Sequence, residues 1–164
     1  MIEIRTARAA DLPGILAIYN EVVQHSTATF DLEPQTVEER RAWFDAFDDR
    51  HPFLVAVDDD GTIAGYSYLS VFRGWPAYAG TAESSVYVHK DYQGRGLAER
   101  LMLELLGAAK TLGYHVIVAG ISNDSLPSAA LHRKLGFEKV GCFKEVGWKF
   151  GEWQDVCFYQ LTLE

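Results

Sequence analysis

The segment Thr81-Ala-Glu-Ser-Ser-Val-Tyr-Val-His-Lys-Asp-Tyr-Gln-Gly-Arg-Gly-Leu-Ala-Glu-Arg100 decides how this chain folds. It opens with an alternating, β-branched run that ends at Val88, which is typical of a strand. A turn containing Gly94 and Gly96 follows it. Leucines then recur at helical spacing, at Leu97, Leu101, Leu105 and Leu112. The sequence therefore predicts a strand, a glycine turn and a helix in direct succession.

The predicted turn is suited to holding an anion. Glycines at 94 and 96 permit positive φ and let a ligand approach the main chain closely. The first helical turn then directs unpaired N–H donors and the positive end of its dipole at that ligand. Arg95 is expected to add a charge-assisted hydrogen bond. A phosphate or pyrophosphate is the ligand that fits best.

Two common phosphate-binding motifs do not match this turn. A nucleotide P-loop requires Lys and then Ser or Thr after its last glycine, and Gly96 is followed by Leu97. The dinucleotide fingerprint requires a third glycine where Glu99 stands. The stretch Gln93 to Ala98, preceded by Val86-Tyr87-Val88, instead resembles the acetyl-CoA pyrophosphate loop of the GNAT N-acetyltransferase superfamily, Gln/Arg-x-x-Gly-x-Gly/Ala. A Gly-x-Gly alone is also compatible with a plain strand-to-helix connection.

Three further segments resemble one branch of that superfamily, the phosphinothricin and methionine sulfoximine acetyltransferases. Ser26 to Phe30 is similar to a Ser-Thr-x-x-Phe segment near the acceptor pocket. Leu131 to Phe137 resembles Tyr-x-x-Leu-Gly-Phe, with His132 in the tyrosine place. Gly147 to Asp155 is similar to a Lys-x-Gly-x-Trp-x-Asp loop. The resemblance covers nearly the whole chain.

The resemblance implies a GNAT fold, a mixed α/β architecture in a single domain spanning residues 1–164. Its central twisted sheet is mostly antiparallel, contains one splayed parallel strand pair and carries helices on both faces. Length supports one domain, and two consecutive strand-helix-strand passes predict a parallel pair. The resemblance places the backbone of Val86, Tyr87 and Val88 at the splay, where it pairs with the pantetheine amides of the cofactor.

Local patterns predict the remaining elements. Ile2 and Ile4 alternate as in a strand, Asp11 is expected to cap the following helix, and Thr36 opens a second helix with a capping box. Glycine after Leu135 predicts a helix end there. The other predicted elements are a hairpin of Phe53–Val57 and Ile63–Val71, a strand at 115–121, a helix at 128–135, and final strands at 140–143 and 156–161.

Composition excludes several classes of protein. The net charge of −8 disfavours nucleic acid, which needs a basic face. No apolar run approaches the length of a membrane span, and the amino terminus lacks a leader pattern, so we expect no membrane partner and a cytoplasmic location. Cys142 and Cys157 show neither metal-site spacing nor a disulfide framework and are interpreted as buried thiols. No metal is predicted.

Acetyl transfer to an amine needs a base, and Glu83 is the candidate. Residues 83 and 87 lie on one side of a strand, which places the carboxylate near the splay, and the resemblance assigns the corresponding Glu this role. An ion pair with a surface cation is the alternative. A strand N–H near Val86 is expected to stabilise the oxyanion. His132 is a candidate proton donor to the thiolate, or simply a packed histidine.

The resemblance implies acetyl-CoA as co-substrate and a homodimer as the assembly. Arg73 offers a bidentate partner for an acceptor carboxylate, which favours an amino acid analogue over a polyamine, an antibiotic or a protein amino terminus. A non-catalytic acyl-CoA sensor is a further alternative. Either Asn123 or Ser125 is expected to bond the cofactor. The cofactor-binding candidates are Val86, Tyr87, Val88, Gln93, Gly94, Arg95, Gly96, Leu97, Ala98, Glu99, Asn123, Ser125 and Ser128. The substrate-binding candidates are Phe30, Arg73, Gly74, Trp75, Glu83, Ser84 and Ser85.

Overall fold

A computed structural model describes residues 1–164 as seven strands and four α-helices, with short 3-10 turns between some of them. The predicted hairpin of Phe53–Val57 and Ile63–Val71 is confirmed with both ranges unchanged. The elements are β1 Glu3–Thr6, α1 Leu12–His25, α2 Val37–Asp45, β2 Phe53–Val57, β3 Ile63–Val71, β4 Thr81–Val88, α3 Leu97–Thr111, β5 Val116–Ser122, α4 Leu126–Lys134, β6 Glu138–Lys149 and β7 Glu152–Thr162.

All seven strands form one sheet in the order β1-β2-β3-β4-β5-β7-β6. Every neighbouring pair is antiparallel except β4 and β5, which run parallel. In the chain, α3 connects β4 to β5, as a crossover between parallel strands requires. The predicted mixed α/β class with a mostly antiparallel sheet is therefore confirmed.

The parallel pairing is confined to three residues on each strand, Thr81–Glu83 against Val116–Val118. Beyond it, β4 remains paired with β3 as far as Val88, and β5 remains paired with β7 as far as Ser122. The facing edges of β4 and β5 are therefore unpaired beyond this point. This is the splay that the sequence predicted.

Helices cover both faces of the sheet. On one face, α1 and α2 pack on aromatic side chains of β2 and β3, including Phe53 and Tyr66. On the other, α3 and α4 pack on Leu69, Ile117 and Tyr159. Because side chains alternate along a strand, Ala82, Ser84 and Val86 lie on the α3 and α4 side, whereas Glu83, Ser85 and Tyr87 lie on the α1 and α2 side.

Two local predictions need correction. Asp11 does not cap α1; its carboxylate accepts hydrogen bonds from the Arg5 guanidinium and the Arg8 backbone N–H. The final two strands are also longer than predicted, so that only residues 150 and 151 turn between β6 and β7. The cap on α2 is confirmed, since the Thr36 hydroxyl accepts from the Glu39 N–H.

The interpretation of the cysteines as two thiols is wrong. Cys142 and Cys157 lie opposite each other on β6 and β7 and are joined by a disulfide. The chain therefore contains no free cysteine. Cross-strand register brought them together, and sequence spacing carries no information about that register.

None of the helices combines the length and the apolar character that crossing a bilayer requires.

Candidate active site

A cavity of about 300 Å³ lies in the splay between β4 and β5. Its walls come from both strands, from the start and middle of α4, and from the loop that follows α1. Eight predicted site residues meet there: Glu83, Ser84, Ser85, Val86, Tyr87, Ser125, Ser128 and His132. Because the lining includes side chains from both faces of the sheet, the cavity passes through the gap between the strands.

Glu83 is the acidic group of this cavity. Burial raises the pKa of its carboxyl, and the positive charge of Arg73 opposes that shift. A carboxylate whose pKa is raised by burial is a better proton acceptor than an exposed one. The environment of Glu83 therefore suits a general base.

Gly120 on β5 keeps the space beside Glu83 open. A Cβ at this position would lie 3.7 Å from Glu83 Oε1 and 3.3 Å from Cε1 of Phe158. Gly120 also lines the cavity. A larger side chain here would occupy space next to the carboxylate, so this glycine contributes to access.

His132 is buried in α4, at 4% exposure, and packs edge-on against Phe137. Its Nδ1 lies 2.7 Å from the carbonyl oxygen of Ser128. A carbonyl only accepts, so Nδ1 carries the proton. Burial lowers the pKa of this imidazole. At neutral pH the ring is uncharged, and Nε2 holds a lone pair.

A second cavity, of about 510 Å³, adjoins the first one and reaches Gln93, the residue directly before the glycine turn. The two share Ser26, Ala28, Val86 and Tyr87. The second is also lined by Val88 and Gln93, together with one side of α1. The predicted cofactor residues on β4 therefore border one continuous groove between Gln93 and Glu83.

The glycine turn has the conformation that the sequence predicted. Gly94 and Gly96 have φ values of 75° and 74°, in the left-handed region that favours glycine. Gly96 precedes α3, and no side chain caps that helix. The first backbone N–H groups of α3, from Leu97, Ala98 and Glu99, therefore point outward without intrahelical partners. Such a helix start is a site for a phosphate.

Two charged side chains of this segment, Arg95 and Glu99, are engaged elsewhere. Arg95 donates to the carbonyl oxygen of Asp91 and lies over the ring of Tyr92. Glu99 forms a salt bridge of 2.7 Å with Lys134 of α4. The groups of the turn that are free to meet an anion are therefore its backbone N–H groups.

Asn123 and Ser125 differ in how free their side chains are. Asn123 donates to Oε1 of Gln154 at 2.6 Å and accepts from the Asp155 N–H at 2.9 Å. Ser125 lines the cavity, and its side chain does not cap α4. Asn123 therefore connects the β5–α4 turn to β7.

The loop after α1 forms one wall of the cavity through Ser26, Thr27 and Ala28. Thr27 shares a hydrogen bond of 2.8 Å with Ser122 at the end of β5. Lys149, buried at 3% exposure, donates to the carbonyl oxygens of Ser26 and Thr29, each at 2.8 Å. We call residues 26–31 the acceptor loop.

The other substrate candidates lie outside this cavity. Phe30 packs against Gly147 of β6, where a Cβ would approach its ring to 3.1 Å. Gly74 and Trp75 line a separate cavity of about 250 Å³ beyond the start of β4. Arg73 is exposed, and its guanidinium lies 5.3 Å from the ring centroid of Phe72. Only its electrostatic effect reaches Glu83.

Sequence reasoning missed the lining residues of β5, namely Ala119, Gly120, Ile121 and Ser122, and also Lys149. The continuous apolar run of β5 predicts a buried strand, which places its side chains in the core.

No group of three or more His, Cys, Asp or Glu side chains is placed to hold a metal ion.

The chain belongs to the GNAT acetyltransferase family, whose domain profile, described as "Acetyltransferase (GNAT) domain", matches residues 4–158. It is an N-acetyltransferase that uses acetyl-CoA as co-substrate. The groove fits that group, because it extends from Gln93, beside the uncapped start of α3, to the open gap beside Glu83.

Named relatives extend over nearly the whole chain. An L-methionine sulfoximine/L-methionine sulfone acetyltransferase of Pseudomonas paraeruginosa is 45% identical, over 98% of this chain and 94% of that protein. A phosphinothricin N-acetyltransferase of Streptomyces coelicolor is 37% identical, over 99% and 96%. The crystal structure of a phosphinothricin acetyltransferase from Sinorhizobium meliloti in complex with AcCoA matches with a TM-score of 0.95, at 37% identity, over 99% of this chain and 88% of that one.

Proposed function

We propose that this enzyme acetylates the amine of a small amino acid analogue of the methionine sulfoximine, methionine sulfone or phosphinothricin type. The names of its relatives support that substrate class. The observation that carries the proposal is the Glu83 carboxyl, with its pKa raised by burial, in the gap where the cofactor groove ends.

Glu83 acts as the general base. The acceptor amine arrives as an ammonium, and Glu83 takes a proton from it, directly or through water, before the amine attacks. A strand N–H near Val86 stabilises the oxygen that becomes negative. Acetyl-CoA supplies an activated acetyl group and a thiolate leaving group.

The role of His132 differs from simple proton donation. A neutral ring that already donates through Nδ1 has no second proton at Nε2, and burial lowers the pKa of the ring further. We propose that Nε2 of His132 accepts a hydrogen bond in the reaction. Among the cofactor-binding candidates, the free hydroxyl of Ser125 is favoured over the engaged amide of Asn123.

Arg73 is proposed to attract the acceptor carboxylate, because its positive charge reaches Glu83 on the acceptor side of the sheet. Arg73→Ala then raises the KM of a carboxylated acceptor and leaves acetyl-CoA affinity unchanged. An equal loss with amines that lack a carboxylate would contradict this assignment. Such an outcome would favour a polyamine, an antibiotic or a protein amino terminus as acceptor.

The decisive experiment measures thiol release from acetyl-CoA with methionine sulfoximine, methionine sulfone and phosphinothricin. We expect acceptor-dependent release by the wild-type enzyme and a loss of about 100-fold or more for Glu83→Gln. Saturable acetyl-CoA binding without release for any amine would instead support the acyl-CoA sensor.

A homodimer is proposed as the assembly, with β6 and β7 at the interface. β6 is an edge strand of the sheet. The exposed apolar side chains of β6, the adjoining turn and the start of β7 are Val140, Phe143, Val146, Trp148, Phe150 and Trp153. Exposed aromatic side chains in such number are typical of an interface. Light scattering at several protein concentrations tests this, and a monomer at every concentration refutes it.

A cytoplasmic location is also proposed, on the ground that acetyl-CoA is the co-substrate. In a reducing cytoplasm the Cys142–Cys157 bond is expected to open. Thiol alkylation in intact cells followed by mass spectrometry tests both statements, since two alkylated cysteines are expected there.

A further inference from the structure

Ser84 has a buried hydroxyl with no use inside the protein. The residue is 6% exposed, and its Oγ has no hydrogen-bond partner. Leaving a buried donor unpaired costs free energy. Most buried hydroxyls avoid that cost, as Ser67 on the adjacent strand does by donating to the Leu101 carbonyl. A hydroxyl without a partner in a cavity wall is therefore available to form a hydrogen bond with a ligand.

The surroundings of Ser84 identify which part of a ligand it meets. It lies on the opposite side of β4 from Glu83, and it lines the same cavity as His132. The only hydrogen bond of the His132 ring is made through Nδ1, which leaves the Nε2 lone pair available. The cavity thus offers a hydroxyl donor and an imidazole acceptor on the side away from the base.

A sulfur atom matches this pair of groups in both of its protonation states. A thiolate accepts a hydrogen bond from a hydroxyl, and a thiol donates a weak one to an imidazole lone pair. The attacking amine and its base occupy the other side of the sheet, so the leaving group is expected here.

We propose that Ser84 donates a hydrogen bond to the sulfur of coenzyme A as that sulfur leaves the acetyl group, an inference that rests on the proposed function. The acceptor nitrogen forms the C–N bond, the C–S bond breaks and its electron pair stays on sulfur. The ammonium gives one proton to Glu83 before the attack, and the nitrogen releases a second proton to solvent water as the amide forms. The sulfur later takes one proton from solvent, so one proton is released per turnover. The Ser84 hydroxyl keeps its own proton throughout.

Calorimetry on the whole enzyme tests this contact without turnover. Coenzyme A and desulfo-coenzyme A, in which hydrogen replaces the thiol, are titrated into wild type and Ser84→Ala. We expect wild type to prefer coenzyme A by about tenfold and Ser84→Ala to reduce that ratio to about two, with desulfo-coenzyme A binding unchanged. An unchanged ratio in Ser84→Ala overturns the proposal.

Ser67→Ala is the matched control, since it removes another buried serine hydroxyl next to β4 but outside the cavity. Its ratio is expected to equal that of wild type, and an equal loss in both variants would overturn the assignment.

The turnover number of Ser84→Ala is expected to fall about tenfold at unchanged acceptor KM. If no protein transfers acetyl but the binding ratio behaves as described, the proposed function fails and this contact stands.

Thermal unfolding of the ligand-free protein gives an independent check. Because Oγ of Ser84 has no protein partner, Ser84→Ala is expected to unfold at the same temperature as wild type or higher. A clear drop would reveal a structural partner for the hydroxyl and would overturn the proposal.

Discussion

Lys149, at the end of β6, donates a 2.8 Å hydrogen bond to the carbonyl oxygen of Ser26, which lies 123 residues earlier in the chain. A second bond of the same length joins it to Thr29. Lysine is rarely buried without a purpose, and both carbonyls belong to the acceptor loop. The end of β6 thereby fixes one wall of the candidate active site.

Replacing Lys149 by methionine is expected to loosen the acceptor loop. Methionine fills similar space but donates no hydrogen bond, so both carbonyl oxygens lose their partner. The KM of the acceptor should rise about tenfold, with acetyl-CoA affinity unchanged, as measured by steady-state kinetics and calorimetry. Lys144→Met, on the exposed part of the same strand, is the control. A loss confined to acetyl-CoA binding would refute the assigned role.

The acidic limb of the pH–rate profile is expected to follow the ionisation of Glu83, and the charge of Arg73 is expected to determine where that limb lies. The base must be ionised, so activity rises with pH through its pKa, which burial raises above 4.5. Removing the Arg73 charge raises that pKa further, and Arg73→Gln should shift the limb of kcat/KM to higher pH. Arg41→Gln, an exposed arginine on α2, should leave the limb in place. A limb that persists in Glu83→Gln would belong to another group.

His132 is expected to make the fold sensitive to mild acid. Burial lowers the pKa of the folded imidazole, whereas the unfolded chain takes up a proton near pH 6.5. The unfolded state therefore binds more protons, and stability falls as the pH drops through about 6.5. Thermal unfolding between pH 7.5 and 5.5 should show a flatter dependence for His132→Phe than for wild type. His25→Gln, at an exposed position, should keep the wild-type slope.

Opening the disulfide should affect stability and leave catalysis intact. Its cysteines are 15 residues apart, and a loop of that length corresponds to about 3 kcal/mol in the free energy of unfolding. Neither sulfur lines the active-site cavities. Urea unfolding with and without a phosphine reductant should show the loss at an unchanged kcat. The free energy of unfolding of Cys142→Ala should not change when the reductant is added. A reductant effect on the kcat of this variant would indicate another target.

Features that depend on neighbours in the chain were predictable. The hairpin of β2 and β3 follows from two apolar runs around an aspartate-glycine turn, and the left-handed Gly94 and Gly96 follow from the same kind of local constraint. Cross-strand register was not available from sequence, so the bond of Cys142 to Cys157 was missed. Lys149 was missed because its two partners lie in a distant loop.

The three-residue parallel ladder between Thr81–Glu83 and Val116–Val118 has an evolutionary implication. The opening arises from the divergence of two main chains, and Gly120 keeps it clear beside Glu83. Substitutions along its rim can change which amine enters, while the position of the thioester between β4 and β5 stays the same. A lineage built on this scaffold can diversify its acceptors with few replacements.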